Sequence, residues 1–287
     1  MTLDVSVVIP TYNQNPKYLT EAIESALRQS YPRKKYEILV VDDGSTRIPP
    51  DQVLSQFKNE DVKLVKKTHG GIAHTLNAGI MKMRGQYFKW LSSDDALCEE
   101  GLEILKSKAQ EDQIIYGDWV RMDQNSNILD VQHEPIFSNV NEMKKSLWAR
   151  YFGNASAALI PRSAFVKIGM FDTSLPYYED YDWWLRAVFI HHYMLVHADG
   201  IVAKYRIHPG QGTMRNEKKP LITWLLKKRL YTFPHEPSTF EAVRKPSIAL
   251  LTRQMFLHDT ARLFRTLPGN KSVPSGLKRL KSTLMFM

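Results

Sequence analysis

Polar side chains follow three apolar runs of the sequence, at the point where each run ends. Thr-Tyr-Asn stands at residues 11–13, a pair of aspartates at 42–43, and a second pair at 94–95. Carboxylates that gather at one edge of a sheet repel each other, so they require a cation, a donor-rich ligand, or both. One isolated pair is better explained as a solvated turn or a helix cap, whereas three clusters at strand ends favour a binding site.

A parallel α/β sheet would position these clusters. Continuous β-branched runs predict strands that are buried on both faces, and apolar residues at helical spacing lie between them, which predicts a βαβ unit. The predicted elements are strands at 5–9, 38–41, 62–66 and 86–91, with helices at 17–30 and 72–83. Ligands of open parallel sheets bind beyond the carboxyl ends of the strands, which is where the polar clusters fall.

The pattern changes after the second aspartate pair. Asn125-Ser126-Asn127 predicts a hairpin turn, so a mixed sheet is expected in place of a purely parallel one. The elements predicted there are hairpin strands at 114–122 and 128–133, helices at 163–168 and 180–190, and a late strand at 194–198. Beyond residue 210, prolines interrupt the helical spacing and predict short helices.

Composition excludes several classes of protein. The 287 residues are 43% hydrophobic, enough to bury a self-sufficient core, so disorder is excluded as the main state. The single cysteine, Cys98, excludes a disulfide framework and a multi-cysteine metal site, and the cytosol is the expected location. We expect no signal peptide and no membrane span. Motifs of serine hydrolases, P-loop nucleotide triphosphatases and zinc peptidases are absent from the sequence.

Positive charge is concentrated towards the C-terminus. The formal net charge is +9, and residues 204–287 hold 17 of the 39 Lys and Arg residues but only 4 of the 30 Asp and Glu residues. Such a segment indicates anionic lipid, nucleic acid, or a solvated helical face. Leu277, Leu280 and Leu284 would share one side of a basic helix, as in helices that lie in a membrane interface. Packing against the preceding domain is the alternative; nucleic acid is least favoured because aromatic residues are sparse.

Five segments together resemble the family-2 glycosyltransferases of the GT-A fold, in that family's order and at its usual intervals. They are VSVVIPTYNQ, EILVVDDGST, GGIAHTLNAGI, FKWLSSDD, and VKIGMFDTSLPYYEDYDWWLRA with YRIHPG. The resemblance covers residues 4–212. It implies an α/β catalytic domain at 1–210, with the GT-A fold of nucleotide-diphospho-sugar transferases and a mixed, mainly parallel sheet. A basic helical extension would follow at 211–287.

Enzymes of this family transfer a sugar from a nucleotide-diphosphate donor to a hydroxyl group, with inversion at the anomeric carbon. The residues that match the family's nucleotide-sugar cradle are Pro10, Thr11, Tyr12, Asn13, Asp42, Gly71, Asn77, Ser92 and Asp94. Asp42 matches the carboxylate that accepts from a base N–H, which favours uracil and leaves guanine and thymine open. Leu76 stands where the family often has an arginine, so one phosphate contact is lost.

The resemblance also implies a divalent metal on the diphosphate. Asp94 or Asp95 would hold it, and His208 matches a histidine that lies near the metal. Ser92 replaces the first aspartate of the family's motif. Oxygen ligands select Mg²⁺ or Mn²⁺, and an imidazole ligand favours Mn²⁺ modestly.

Asp180, with Glu179 as its neighbour, matches the family's catalytic pair. A carboxylate there would accept the proton of the acceptor hydroxyl. The surrounding rings of Tyr178, Trp183 and Trp184 are of the kind that sugar C–H surfaces pack against, so we expect them to bind the acceptor.

The expected function is therefore metal-dependent transfer of a sugar, UDP-linked by preference, to a glycan or lipid-linked acceptor in polysaccharide, lipopolysaccharide or other cell-surface glycan synthesis. The expected location is the cytoplasm, with peripheral contact to the inner face of the cell membrane through the basic C-terminus. The alternative is a non-catalytic nucleotide-sugar or glycan-binding module that keeps the fold.

Overall fold

The computed structural model describes residues 3–110, 112–149, 153–175 and 177–211. The strands in this part of the chain are β1 Val5–Thr11, β2 Tyr36–Asp42, β3 Val62–Lys66, β4 Tyr87–Trp90, β5 Ala96–Leu97, β6 Gln113–Met122, β7 Ile128–Gln132, β8 Ala158–Pro161 and β9 Met194–Arg206. The α-helices are α1 Pro16–Leu27, α2 Asp51–Leu54, α3 Ile72–Lys82, α4 Gly101–Ser107, α5 Val140–Ala149, α6 Arg162–Ile168 and α7 Glu179–Leu185. Short 3₁₀ turns lie at Arg33–Lys35, Ser55–Phe57 and Ala155–Ala157, and a π-helical turn, Arg186–Ile190, continues α7.

The sheet runs in the order β3-β2-β1-β4-β8-β6-β9-β5, and β7 pairs with β6. Strands β3, β2, β1 and β4 are mutually parallel, as are β6 and β9. β8 is antiparallel to both β4 and β6, so these two reversals return β6 to the direction of β4. The carboxyl ends of β1, β2, β4, β6 and β9 therefore lie at one edge, which we call the donor edge. The predicted mixed, mainly parallel α/β fold is confirmed.

The first strands follow directly from the sequence. Every residue of β1 and β2 is buried, as expected of β-branched runs in a sheet covered on both faces. Helix α1 begins at Pro16, the position where proline is tolerated, and the Asn15 side chain caps it by accepting from the Lys17 amide (3.0 Å). Its apolar stripe packs against the sheet through Leu19, Ala22, Ile23 and Ala26.

Strand β9 is much longer than the predicted segment 194–198. It continues to Arg206 because a bulge absorbs Asp199 and Gly200: Gly117 pairs with Ala198, and the next residue of β6 pairs with Ile201. Gly200 has a φ of 146°, which disfavours other residues. The Asp-Gly pair resembles a turn in the sequence, but the extra length carries β9 to the donor edge.

Five elements were not predicted: β5, β8, α2, α4 and α5. β5 has two residues and β8 has four, too few to show a period, and α4 spans fewer than two full turns. The predicted boundary at residue 210 and the helical extension at 211–287 are not tested, because all of that extension except Gln211 lies outside the described residues.

Candidate active site

The turn after β2 is anchored by Asp43. Its carboxylate accepts hydrogen bonds from the amides of Gly70 (3.0 Å) and Gly71 (2.8 Å) and from the Lys67 ammonium group. Burial acts to raise the pKa of this carboxyl, but the bonds from Lys67 and Gly71 together outweigh it and lower the pKa below its usual value. Asp43 is therefore ionised, and it holds the loop that contains Gly70 and Gly71, which we call the glycine loop, at the donor edge.

Asp42 has fewer partners than Asp43. Its Oδ1 accepts from the Ser45 amide (3.0 Å), which closes the turn, and its Oδ2 makes no hydrogen bond within the described part of the chain. The side chain is buried at the donor edge. Asp42 thus keeps acceptor capacity for a ligand.

The loop after β1 presents an aromatic ring to solvent. Tyr12 is 45% exposed and stacks on His69, with ring centroids 4.2 Å apart and planes at 21°. His69 Nδ1 lies 2.8 Å from Asp43 Oδ2, so the stack is tied to the anchored turn. Pro10 and Thr11, which precede Tyr12, are buried within β1.

Asn13 binds the chain itself. Its Oδ1 accepts from the amides of Arg47 (2.8 Å) and Ile48 (3.1 Å), and its own amide donates to Ser45 Oγ (2.7 Å). The residue adopts a φ of 47°, a conformation that asparagine tolerates. Asn13 therefore joins the loops after β1 and β2.

The glycine loop and α3 differ from the expected cradle in one respect. Gly71 has a φ of 91°, and an added Cβ would meet no atom within 4 Å, so backbone there is open to a ligand. Asn77 Nδ2 donates to the Phe171 carbonyl (2.9 Å), and Asn77 Oδ1 accepts from the Phe171 amide (3.1 Å). The side chain that was predicted to reach the nucleotide is therefore engaged by the protein itself. Leu76 is fully buried and makes no surface for phosphate.

Asp94 and His208 meet at the donor edge. His208 Nε2 lies 3.0 Å from Asp94 Oδ2, and the two side chains are 11% and 22% exposed. The His208 ring contacts the Tyr18 ring of α1 (5.1 Å), and its amide donates to Gln211 Oε1 (2.8 Å). Two residues that are 114 positions apart thus form one partly open carboxylate–imidazole pair.

Asp95 cannot serve as the predicted metal ligand. It is 1% exposed, and each of its oxygens is occupied: Oδ1 accepts from the Arg206 amide (3.0 Å) and Oδ2 from Ser156 Oγ (2.7 Å). Burial, with the neighbouring Asp94 charge, raises the pKa of Asp95 well above its usual value. Within the described ranges, no three His, Cys, Asp or Glu side chains converge as a metal site.

The serines of the motif connect it to its neighbours. The Ser92 amide donates to Ser156 Oγ (3.1 Å), and Ser93 Oγ accepts from Gln14 Nε2 (3.1 Å). The bond from Gln14 to Ser93 links the loop after β1 to the acidic motif. The bond from Ser92 to Ser156 lies beneath the motif, on the side of the sheet interior.

Arg206, which was not predicted as a site residue, is fully buried behind the motif. Its Nε donates to the Asp94 carbonyl (2.7 Å), Nη1 to Ser126 Oγ (2.8 Å), and Nη2 to the Glu21 carboxylate. The guanidinium group lies over the Tyr18 ring, 4.5 Å from its centre. In the sequence, Arg206 is visible only as an arginine within the segment YRIHPG, and no local pattern there indicates that it is buried.

The second acidic pair begins α7. Glu179 is 7% exposed, and burial, with the adjacent Asp180 charge, raises its pKa to about 8. Asp180 is half-buried, and its Oδ1 accepts from the Tyr181 amide (2.7 Å). Tyr178, just before the helix, has a φ of 63°, which turns the chain sharply into α7.

Buried polar contacts hold α7 in place. Arg186 Nε donates to Asp182 Oδ2 (2.8 Å), and its other nitrogens donate to the carbonyls of Ile168 and Met170 (2.9 Å each). Tyr181 Oη donates to the Leu147 carbonyl (2.9 Å). Asp182 is therefore structural, and Arg186 is engaged with it and with the loop before α7.

The prediction that Trp183 and Trp184 bind the acceptor is wrong. Trp183 is fully buried, donates from Nε1 to the Gly169 carbonyl (2.9 Å), and packs on Phe171. Trp184 is also buried. Helix α7 is buried on most of its sides, so both adjacent rings lie in the core, and of these aromatic residues only Tyr178, with Tyr177 beside it, remains near the surface.

Contacts through Phe171 tie α7 to the donor edge. The Phe171 ring packs against Trp90 at the end of β4 (5.8 Å) and against Trp183 of α7 (6.0 Å). Asn77 of α3 binds the backbone of the same residue. The acidic motif follows β4 directly, so the two acidic pairs are mounted on elements that share one packed core.

The predicted basic C-terminal helix, including Leu277, Leu280 and Leu284, lies outside the described residues. Among the helices that the structure does describe, none has the length and apolar character needed to cross a membrane.

Known proteins include glycosyltransferases of similar sequence. The chain is 34% identical over 218 residues to an uncharacterized glycosyltransferase of Rickettsia conorii, a match that spans 74% of this chain and 35% of that protein. It is 35% identical over 220 residues to one of Rickettsia prowazekii, spanning 73% of this chain and 65% of the relative. This chain is thus shorter than the curated relatives that it matches.

Solved structures share the fold. S. aureus TarS residues 1–349 in complex with UDP-GlcNAc superpose with a TM-score of 0.60 at 18% identity, covering 83% of this chain and 69% of that one. The complex of the same protein with UDP gives 0.55 at 20% identity, covering 72% and 61%. The family model of glycosyl transferase family 2 matches residues 6–169. With more than half of its length matched by that model and a GT-A-type fold, the chain belongs to glycosyl transferase family 2, a family of transferase enzymes.

Proposed function

We propose that this chain transfers a sugar from a nucleotide-diphosphate sugar to a hydroxyl group of a glycan or lipid-linked acceptor, with inversion at the anomeric carbon. The observation that carries the proposal is the partly open pair of Asp94 and His208 at the donor edge. Polysaccharide, lipopolysaccharide or another cell-surface glycan is the proposed product.

The nucleotide would occupy the loops after β1 and β2. The exposed ring of Tyr12 offers a face for a nucleobase, and Asp42 offers a carboxylate oxygen to a base N–H. A uridine nucleotide is the proposed donor, because an imide N–H suits that carboxylate and because TarS structures hold UDP and UDP-GlcNAc.

The diphosphate would lie against Asp94 and His208. One carboxylate and one imidazole fit Mn²⁺ or Mg²⁺, with the diphosphate and water as the remaining ligands, and the nitrogen donor favours Mn²⁺. When bound, such an ion would neutralise charge on the departing diphosphate. The residues themselves orient the donor: Arg206 fixes the Asp94 backbone, and Tyr18 supports the imidazole.

Asp180 is the proposed general base. It would take the proton of the acceptor hydroxyl while that oxygen bonds to the anomeric carbon and the bond to the diphosphate breaks, with its electron pair leaving on the diphosphate. Burial and the adjacent Asp180 charge raise the pKa of Glu179 to about 8, which favours its protonated form at neutral pH. Tyr178, with Tyr177, would border the acceptor.

A non-catalytic module that binds nucleotide sugar or glycan is the second candidate. It is favoured by Ser92, which replaces a carboxylate of the motif, and by Leu76, which is buried away from the donor edge. Both candidates bind donor, but only the first transfers sugar.

Nucleotide binding tests the shared part of the proposal. UDP with Mn²⁺ should raise the melting temperature by several degrees at saturating ligand, because only the folded state binds it. We expect Asp94→Ala and His208→Ala to lose the Mn²⁺-dependent part of the shift, measured by thermal unfolding with UDP, GDP, CMP and TDP. The exposed control Asp112→Ala should behave like the wild type; absence of a shift with every nucleotide would contradict the proposal.

Replacement of the base separates the two candidates. Asp180→Asn should lower transfer from UDP-sugar about 100-fold or more, as loss of a general base does, while UDP affinity stays within a factor of about three. Radiolabelled sugar transfer and calorimetry measure the two quantities, with Asp112→Asn as control. Equal transfer by wild type and variant would exclude Asp180 as the base.

The Glu179 environment predicts a pH-dependent stability. An acid whose pKa is raised on folding favours the folded state most at low pH, and that contribution is lost as pH rises from the usual glutamate value to about 8. Glu179→Gln cannot ionise, so its melting temperature relative to wild type should rise by about 3 °C or more between pH 5 and pH 9. The exposed control Glu99→Gln should show no such trend, and a pH-independent difference for Glu179→Gln would refute the buried, protonated state.

We also propose that the basic C-terminal segment contacts anionic membrane and places the protein on the inner face of the cell membrane. Removal of residues 270–287 should reduce binding to vesicles of phosphatidylglycerol and phosphatidylcholine, by about 1 kcal/mol for each basic residue removed near the surface. Co-sedimentation at low and high salt measures this. Unchanged vesicle binding after truncation would contradict the proposed membrane contact and would leave the proposed transfer reaction standing.

A further inference from the structure

Lys89 is a charged residue in the middle of an apolar sheet face. The alternation of β4 puts its side chain on the same face as Tyr87 and Leu91, both members of the main hydrophobic cluster. Lys89 is nevertheless fully buried. Lysine is almost never buried to this degree unless it is paired, so its presence requires an explanation.

The ammonium group of Lys89 binds backbone oxygens. Nζ donates to the Ser156 carbonyl and to the Ala158 carbonyl (3.3 Å), and no carboxylate lies within ion-pair distance of it among the described residues. Burial lowers its pKa to about 7, against the opposing influence of Asp95 and Cys98. An apolar side chain of similar volume would serve the core at least as well, so stability alone does not account for Lys89.

The partners of Lys89 lead to the acidic motif. Ser156, whose carbonyl Lys89 binds, donates from Oγ to Asp95 Oδ2 (2.7 Å) and accepts the Ser92 amide at the same oxygen (3.1 Å). The second Asp95 oxygen accepts the Arg206 amide (3.0 Å). Lys89 thus supports a chain of buried hydrogen bonds beneath residues 92–95.

Arg206 carries this chain to the donor edge. Its Nε holds the Asp94 carbonyl (2.7 Å), and its guanidinium group lies over Tyr18, whose ring contacts His208 (5.1 Å). Both members of the Asp94–His208 pair are therefore supported from the interior by one connected network. Buried polar networks of this kind are rigid when every member is satisfied.

We propose that Lys89 is a positioning residue for the donor site: through Ser156, Asp95 and Arg206 it sets the arrangement of Asp94 and His208 that receives the diphosphate. The inference rests on the proposed function of that pair. Lys89 touches neither donor nor acceptor, so its effect should fall on metal-assisted nucleotide binding and leave the fold intact.

Lys89→Met tests this, because methionine keeps the volume and removes the charge. We expect UDP affinity in the presence of Mn²⁺, measured by calorimetry, to fall 10-fold or more, while affinity without metal changes less than threefold and the melting temperature is kept or raised. Lys106→Met is the matched control, since Lys106 lies over the Tyr87 ring (4.2 Å) but has no bond to the network. It should bind UDP as the wild type does.

Ser156→Ala provides a second variant if Lys89→Met fails to fold. It removes the bridging hydroxyl group, and we expect the same metal-dependent loss of UDP affinity. The double variant should bind UDP with the affinity of the weaker-binding single variant and no less, because both substitutions act through one network. Wild-type UDP affinity with Mn²⁺ in either variant, or additive losses in the double variant, would overturn the inference. Failure of the wild type to bind any nucleotide would instead refute the proposed function, which distinguishes the two failures.

Discussion

The donor edge depends on the burial of one guanidinium group. Arg206 has no solvent exposure, so each of its donors requires a partner within the protein. The partners come from three places: Glu21 on α1, the Asp94 carbonyl after β4, and Ser126 in the hairpin turn. Elements that are distant in sequence are thereby fixed relative to one another, and His208, two residues beyond Arg206, takes its position from the same strand end.

Two of the acidic pairs divide into one carboxyl group that organises the protein, Asp43 or Asp95, and one that keeps acceptor capacity or exposure, Asp42 or Asp94. In the third pair, Glu179 is buried and Asp180 is half-buried. Hydrogen bonds from backbone amides and Lys67 stabilise the charge of Asp43, whereas burial of Glu179 and the adjacent Asp180 charge outweigh its one backbone hydrogen bond, raise its pKa and favour the protonated form. Repulsion between adjacent carboxylates is thus relieved by donated hydrogen bonds in the first pair and by a raised pKa of the buried member, Asp95 or Glu179, in the other two.

Aromatic residues follow a similar division. Trp183, Phe171 and Trp90 pack into the core that carries α7, and they determine where the second acidic pair stands. Tyr12 is exposed and stacks on His69, a side chain itself tied to Asp43. Aromatic composition near an acidic motif therefore does not distinguish a sugar-binding surface from the packing that supports the motif; the exposure of the rings does.

The sequence by itself determined the βαβ repeats, the mixed sheet and the segments that reach its carboxyl edge, because β-branched runs, helical stripes and turn residues act over short distances. It also identified Asp94, His208 and the Glu179–Asp180 pair as candidates. Only the tertiary structure decided that Asp95 is withdrawn from solvent, that Trp183 and Trp184 are core residues, and that Lys89 and Arg206 support the site from within. The reason is physical: burial and hydrogen-bond partners depend on residues up to 185 positions apart, as between Glu21 and Arg206, and no local pattern contains that information.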